Sequence, residues 1–383
     1  MAIITTESDI QSLTQDLRRL VAGEVRFDRM TRTLYSTDAS IYQIEPLGVV
    51  IPKTYEDVIA VVETANRYSI PVLPRGGGTS LAGQTVGKAI ILDFSKYMRN
   101  VLSINLEEGW VRTQPGIILD ELNQQLKPYN MMFAPDPSTS DRANVGGALG
   151  NNSCGAHSIM WGKTIDNLNE LDVVLSNGDT AHYGSLNRDQ IKKKMSYQNF
   201  DAKIYQKLFE IGRINRDEIL SRYPKILRRV GGYNLDEVVQ EGDFNMAKFV
   251  VGSEGTLVTI TEAKLRIVPN PKLKALAVIH FNDLISAMEA TVVTLDLEPS
   301  AVELIDSTII RQAQLSVQYS RMMDFMEGSP EALLLVELVD DSEASLISRI
   351  DLLTQRMRQN NLGYSVRNFM DQEDQARIWA VRK

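Results

Sequence analysis

Apolar positions recur along this chain with a period that switches between helix and strand. Between residues 8 and 22, Ile10, Leu13, Leu17 and Leu20 share one helical stripe, with Ser8 or Asp9 placed to cap it. From Val49 to Pro52 the pattern is that of a strand. A helix follows over Tyr55 to Tyr68 with Val58, Ile59, Val62 and Ala65 on its buried side, and Ile70 to Leu73 is a second strand. This β-α-β unit runs straight into a glycine loop. Short strands are predicted over Ala89 to Phe94, Val101 to Asn105 and Trp110 to Thr113, and a helix over Ile117 to Leu126 closes a first lobe. Leu168 to Leu175 and Thr180 to Tyr183 read as a hairpin, because Asn177-Gly178 supplies the positive φ angles of a two-residue connection. Helical stretches span 201 to 221, and Val258 to Val268 is a strand.

Pro269-Asn270-Pro271 interrupts both periods, since neither a helix nor a central strand sustains two prolines in three residues. Beyond it the order is strand Ala275 to Phe281, helix Asp283 to Leu295, strand Ala301 to Ile305, helix Thr308 to Leu315, strand Leu333 to Val339, helix Ser342 to Arg358 and strand Tyr364 to Arg367. Such a series predicts a sheet containing antiparallel pairs with its helices on one face. Ile378 to Lys383 has the character of a helix interior without cap or glycine, so the expectation is a fold cut short.

Composition narrows the class. A chain of 383 residues, 43% apolar and 23% charged, is long enough for two domains with cores. It holds no run of about 18 or more apolar residues, which disfavours a membrane span. The N-terminus lacks the basic and apolar regions of a secretory signal, and a cytoplasmic location is expected. The single cysteine, Cys154, excludes an internal disulfide, a cysteine-based zinc site and an iron–sulfur cluster on this chain. A net charge of -8 argues against a nucleic-acid partner, and Lys192-Lys193-Lys194 reads as a solvated helix face.

Three segments without bulk carry the candidate chemistry. Gly76-Gly77-Gly78-Thr79-Ser80 follows a strand, and successive glycine amides form a concave nest for an anion; a flexible loop is the alternative. It is neither a Walker loop, which ends in Gly-Lys-Ser/Thr, nor the G-x-G-x-x-G of a Rossmann unit. The second segment is Pro135-Asp136-Pro137-Ser138-Thr139-Ser140 with Asn144 to Ala156 after it, and the third is Gly252-Ser253-Glu254-Gly255-Thr256-Leu257.

These three loops, with Ser36 to Gln43, Glu107 to Arg112 and Tyr233-Asn234-Leu235, resemble the FAD-binding fold of the vanillyl-alcohol oxidase superfamily, also called the p-cresol methylhydroxylase type. Within it the chain is similar to the FAD-linked D-2-hydroxyacid dehydrogenases that act on D-2-hydroxyglutarate, D-lactate or glycolate. The likeness is strongest to the N-terminal part of a long form fused to an iron–sulfur region. The resemblance implies an α+β architecture: an N-terminal helical segment (1–44), a two-lobed FAD-binding domain (45–271) and an incomplete ferredoxin-like α+β cap (272–383).

It also implies site residues. Arg75, Gly76, Gly77, Gly78, Thr79 and Ser80 would meet the FAD pyrophosphate, with Arg75 either a phosphate cation or a salt-bridge residue. Pro135, Ser138, Thr139 and Ser140 would reach the ribityl chain and pyrophosphate. Gly146, Gly147, Asn151, Ser153 and Gly155 would let backbone approach the isoalloxazine, unless they serve only close helix packing. Glu254, Gly255 and Ile260 would complete the pocket, Glu254 being equally a helix-cap carboxylate. Where some relatives carry a histidine bonded to flavin, this chain has Thr79 and Ser80, so dissociable FAD is expected. Cys154 reads as a buried, inert thiol.

The expected reaction is oxidation of a D-2-hydroxy acid to the 2-oxo acid by hydride transfer to flavin N5. Arg382, three residues after Trp379, corresponds in the resemblance to a guanidinium at the substrate carboxylate; an exposed terminal arginine is the alternative. The catalytic base is not identified. His182 and His280 read as structural or exposed, His157 does not match the family's base, and no two of the three share metal-ligand spacing. An electron acceptor, an iron–sulfur domain or quinone, is expected on another segment or subunit. The rival reading is a non-catalytic FAD-binding chain that needs a partner for its base.

Overall fold

The structure, a computed structural model, describes residues 7–382. The first six residues, read above as no secretory signal, and Lys383 lie outside the described residues. The chain divides into two compact units: the first takes the chain through 133 with 139–153 and 163–268, and the second takes 134–138, 154–162 and the chain from 269. Two short excursions, Ala134–Ser138 and Cys154–Gly162, thus leave the first unit and belong to the second. Among the described residues no helix is long and apolar enough to cross a membrane.

In the first unit, strands β1 (Glu24–Arg26), β2 (Gly48–Ile51), β3 (Val72–Arg75) and β4 (Ile90–Asp93) form a sheet in the order β1-β2-β4-β3. β2 and β3 run parallel to β4, and β1 is antiparallel to β2. All four residues of β2 and of β4 are buried, as expected for strands covered on both faces. Helix α1 (Glu7–Leu20) and helix α2 (Tyr55–Arg67) share the core with this sheet through Leu13, Leu17, Val58, Val61, Val62, Ile90 and Leu92. Leu20 departs from the predicted stripe and is 45% exposed, because α1 ends there and Val21 takes the buried place instead. Thr54 and Asp57 close a capping box at the start of α2, which fixes how the chain leaves β2.

A second sheet joins β5 (Val101–Asn105), β6 (Trp110–Thr113), β7 (Leu168–Val174), β8 (Thr180–Tyr183) and β9 (Thr259–Arg266) in the order β5-β6-β9-β7-β8, all antiparallel. Its core takes in helix α3 (Leu119–Leu126) through Leu119, Leu122 and Leu126 and helix α4 (Val145–Asn151) through Val145, Ala148 and Leu149. A turn at Asn177-Gly178 joins β7 to β8 as expected, but the two-residue connection is corrected: Gly178 alone takes a positive φ, +92°, and the Leu175 amide bonds to the Asp179 carbonyl, which leaves three residues in the loop.

The second unit is a four-stranded sheet: β10 (Leu273–Phe281), β11 (Ala301–Asp306), β12 (Ala332–Asp340) and β13 (Ser365–Phe369), in the order β11-β12-β10-β13 with every neighbour antiparallel. That order is the split β-α-β arrangement. Helices α5 (Leu284–Leu295) and α7 (Glu343–Gln359) pack with Ala275, Ala277, Ile279 and Phe281 of β10. The opposite face, with Leu276, Val278, Leu333 and Leu335, is covered by α6 (Ser307–Leu315) and α8 (Gln372–Arg382). The expectation of helices on one face is therefore corrected. β10 and β12 are continuous apolar runs rather than alternating ones, and such strands require cover on both sides.

Candidate active site

In the first unit, β3 delivers Pro74, Arg75 and Gly76 to the edge of a cavity. Ser80, Gln84 and Thr85 of the same loop line it. The face of α4 opposite its buried Val145, Ala148 and Leu149 carries Gly146, Gly147 and Gly150, and these also line the cavity. Ser253, Glu254 and Gly255 close another side, with Val258 and Ile260 behind them and Phe94 and Pro115 supplying apolar wall.

The glycines are required by contact as well as by conformation. A Cβ on Gly76 would sit 2.7 Å from Asn144 Oδ1, and one on Gly77 would collide with the Arg142 carbonyl, so the loop backbone lies directly on residues 142–144. Gly78 has φ +64° and lies beneath the Arg75 guanidinium, 2.7 Å from Nη2 to its would-be Cβ. Gly147 meets nothing within 4 Å, so any side chain there would enter open space at the cavity. Asn144 Oδ1 is buried without a partner among the described residues, while its Nδ2 donates to the Gly116 carbonyl. A channel of bare backbone amides and carbonyls with a few hydroxyl and amide side chains suits a long ligand carrying phosphates, sugar hydroxyls and an aromatic ring. The residues present fit FAD.

Among the described residues Arg75 forms no ion pair, and three carbonyls hold its guanidinium at the cavity. Its Nη1 donates to the carbonyls of Tyr35 (3.2 Å) and Thr85 (3.1 Å), its Nη2 to that of Thr37 (2.7 Å), and the guanidinium lies 5.2 Å from the centre of the Tyr35 ring. The arginine knots the Ser36 to Gln43 string to the glycine loop, helped by Ala39 N donating to the Gly78 carbonyl. Glu254 is no helix cap. It sits at φ +52° with its amide bonded to the Gly150 carbonyl (2.9 Å), and burial pushes its carboxyl up to about 7, offset only in part by Gln84.

Of the residues expected at FAD, Arg75, Gly76, Ser80, Gly146, Gly147, Glu254, Gly255 and Ile260 line this one cavity. Gly77, Gly78 and Thr79 shape the loop without lining it. Thr139 and Ser140 build the turn before α4, their carbonyls accepting from Arg142, Ala143 and Asp120. Asn151 donates to the Ser153 hydroxyl (3.0 Å), and the Ser153 carbonyl accepts from Thr164, so both brace the segment after α4. Pro135, Ser138 and Gly155 belong to the second unit. Gln84 and Gly150 were legible as continuations of two quoted motifs. Phe94 and Pro115 had no local signal, since only tertiary placement brings those chain positions to the cavity.

The second unit holds a charged cluster on the sheet face covered by α6 and α8. His157 Nδ1 lies 2.5 Å from Asp136 Oδ2 and its Nε2 2.9 Å from Glu337 Oε1, with the Trp161 and Trp379 rings 5.5 and 6.1 Å away. Glu337, on β12 and 2% exposed, also accepts from the Ser300 hydroxyl (2.7 Å) and lies 3.5 Å from Lys274 Nζ. Burial works against charge on His157, but the bonds to Asp136 and Glu337 outweigh it and raise the ring to about 9. Burial likewise opposes the Glu337 carboxylate, and the His157 bond with the Lys274 charge holds it down at about 2. His157 is thus an imidazolium with both nitrogens donating.

His280 is fully buried with Nε2 accepting from the Glu327 amide (3.1 Å), and His182 is exposed and bonded to Asp172 (2.7 Å). Cys154 is half-buried rather than fully buried. Arg382 pairs with Glu303.

Two family descriptions match the chain: the FAD binding domain over residues 46–184 and the C-terminal domain of FAD linked oxidases over 270–383. The chain carries both an FAD binding domain and the C-terminal domain of FAD linked oxidases. It is 31% identical over 373 residues to a D-2-hydroxyglutarate dehydrogenase of Pseudomonas putida, covering 94% of this chain and 37% of that protein, and 34% identical over 344 residues to one of Escherichia coli, covering 88% and 34%. The chain therefore spans a little over a third of the length of these curated relatives. Among solved structures, an alkyldihydroxyacetonephosphate synthase superposes with a TM-score of 0.68 at 17% identity, covering 99% of this chain and 63% of that one. A p-cresol methylhydroxylase does so at 0.66 and 15%, covering 97% and 69%. These two share the fold. FAD is the cofactor of such domains, and the glycine loop and α4 lie within the matched FAD binding domain, while Ser253, Glu254, Gly255, Val258 and Ile260 reach the cavity from beyond it.

Proposed function

We propose that this chain supplies the FAD-binding and cap portions of a D-2-hydroxyacid dehydrogenase, which oxidises D-2-hydroxyglutarate, D-lactate or glycolate to the 2-oxo acid. The observation that carries the reading is a cavity floored by Gly146, Gly147 and Gly150 and roofed by the glycine loop, in a chain whose 31–34% identical relatives are named D-2-hydroxyglutarate dehydrogenases. When bound, FAD supplies an acceptor for the hydride leaving the substrate Cα. The loop amides would hold its pyrophosphate, the bare face of α4 would admit its flat ring system, and Phe94 and Pro115 would exclude water. On the cap, Arg382 would hold the substrate carboxylate.

A second reading is favoured by the histidines. His157 donates from both nitrogens, His280 is buried with its acceptor nitrogen in use, and His182 stands on the sheet of the first unit against Asp172, so none is poised to take the hydroxyl proton. The base, any metal that supports it, and the electron acceptor, an iron–sulfur domain or quinone, then come from polypeptide beyond these residues or from another subunit. A cytoplasmic location belongs to the same reading.

The test is anaerobic mixing of the FAD-loaded chain with each acid, alone and with a companion polypeptide made from the part of a D-2-hydroxyglutarate dehydrogenase relative that this chain does not match. Bleaching of the flavin by a D-2-hydroxy acid, and not by its L enantiomer where one exists, is expected. No bleaching by any of the three, with or without the companion, would refute the proposal.

A further inference from the structure

Glu303 occupies a position where the packing asks for an apolar residue. It lies on β11 between Ala301 and Ile305, which are 0% and 2% exposed, and opposite Leu335, which is fully buried. The same sheet face carries the apolar core beneath α6 and α8. A carboxylate set in such a row loses hydration unless a cation meets it. The cation is Arg382 of α8: its Nε lies 3.1 Å and its Nη2 3.0 Å from the same Glu303 oxygen, Oε2. Both side chains are mostly covered, at 14% and 21% exposure.

The geometry of that contact is one-sided. A single oxygen takes the Nε–Nη2 edge of the guanidinium, and among the described residues no other hydrogen bond or ion pair engages Arg382. A planar fork held by one edge presents its Nη1–Nη2 edge at a fixed angle, the arrangement that receives a second carboxylate through two parallel bonds. The neighbouring Glu337, two residues along from Leu335 on the same sheet face, has its own partners, since its Oε1 meets His157, Lys274 and Ser300.

We propose that Glu303 is the positioning residue for carboxylate recognition in this cap, orienting the Arg382 guanidinium so that its free edge receives the carboxylate of a 2-hydroxy or 2-oxo acid. This role rests on the reading of Arg382 as the carboxylate anchor. Glu303 touches no substrate atom; it acts through Arg382.

The probe is 2-oxoglutarate, which oxidised flavin cannot reduce, titrated by calorimetry into the full chain loaded with oxidised FAD. Glu303→Leu, which completes the apolar row and so suits the fold, should weaken 2-oxoglutarate binding by about 10- to 100-fold, the scale of a misplaced binding group. FAD affinity should stay the same. Glu303→Gln keeps an acceptor oxygen and should stay close to wild type, whereas Glu303→Asp keeps the charge but withdraws it by one methylene and should lose affinity. Should Arg382→Lys bind 2-oxoglutarate as wild type does, or neither bind it, Arg382 is no anchor, and the functional reading falls together with the role of Glu303. Weak binding by Arg382→Lys with unchanged or tighter binding by Glu303→Leu and Glu303→Asp leaves the anchor standing and overturns the positioning role alone, even where melting temperatures drop.

Discussion

His157 Nε2 lies 2.9 Å from Glu337 Oε1, a carboxylate that the sheet of the second unit leaves only 2% exposed. With Asp136 on the other ring nitrogen, the histidine ties both sequence excursions, 134–138 and 154–162, to a central strand of that unit. Removing one member of a buried pair leaves the other charge uncompensated, so His157→Ala should destabilise the second unit by about 3–5 kcal/mol. Thermal or urea unfolding followed by the fluorescence of Trp161 and Trp379 measures it, and His157→Gln, still able to donate once, should fall between.

The same pair sets a pH window. The His157 pKa is raised from 6.5 to about 9, so its contribution is complete below 6.5 and is lost as pH rises through 9. The Glu337 pKa is lowered from 4.5 to about 2, so its contribution is complete above 4.5 and is lost as pH falls through 2. Stability from the cluster should be greatest between 4.5 and 6.5. A melting series across pH in wild type and His157→Gln checks this, the variant losing the alkaline decline near 9 if the imidazolium is its source.

Glu254 gives the glycine-lined cavity an opposite dependence. Burial raises this carboxyl to about 7, so it is neutral below that pH and acquires a charge above it, in the cavity proposed to take the FAD phosphates. FAD affinity should decline as pH rises through 7, and Glu254→Gln should remove the decline while leaving affinity below pH 7 unchanged. Fluorescence titrations with FAD on either side of pH 7 decide it. In the chain without FAD, the sign for stability follows the same group: folding is disfavoured progressively as pH rises from 4.5 through 7.

FAD should be held without a covalent bond, since the residues in the loop are Thr79 and Ser80 and no histidine lines the cavity. Acid precipitation followed by chromatography of the supernatant should recover all of the flavin, and colour retained in the pellet would contradict it.

Much of this was legible in the sequence because the relevant signals are local. The strand entering the glycine loop and the Gly-Gly-Gly turn follow from residue size and period alone, although the strand runs on to Arg75, while the small residues from Asn144 onward hid the helix α4 that they form. Leu20 was misplaced because a periodic stripe does not say where the helix stops. The helices on the second face of the cap sheet were missed although unbroken apolar runs such as Leu333 to Val336 require two covers. The Arg75 clamp, the Asp136–His157–Glu337 cluster and the Arg382–Glu303 pair join positions 10 to 180 residues apart, and no local pattern reports such contacts. Wall residues Phe94 and Pro115 are invisible for the same reason.

Two glycines separate the cradle from the scaffold. A side chain at Gly77 strikes the Arg142 carbonyl, so Gly77→Val should weaken the fold by about 1–3 kcal/mol as well as FAD binding. Gly147 meets nothing within 4 Å, so Gly147→Leu should fold normally and fill the space that FAD would use. Titration of FAD into purified wild type and Gly147→Leu, with circular dichroism to verify folding, therefore tests the central claim most directly. Stoichiometric binding by wild type and its loss in a folded Gly147→Leu chain is the predicted result; equal FAD affinity in the two would contradict the assignment of this cavity.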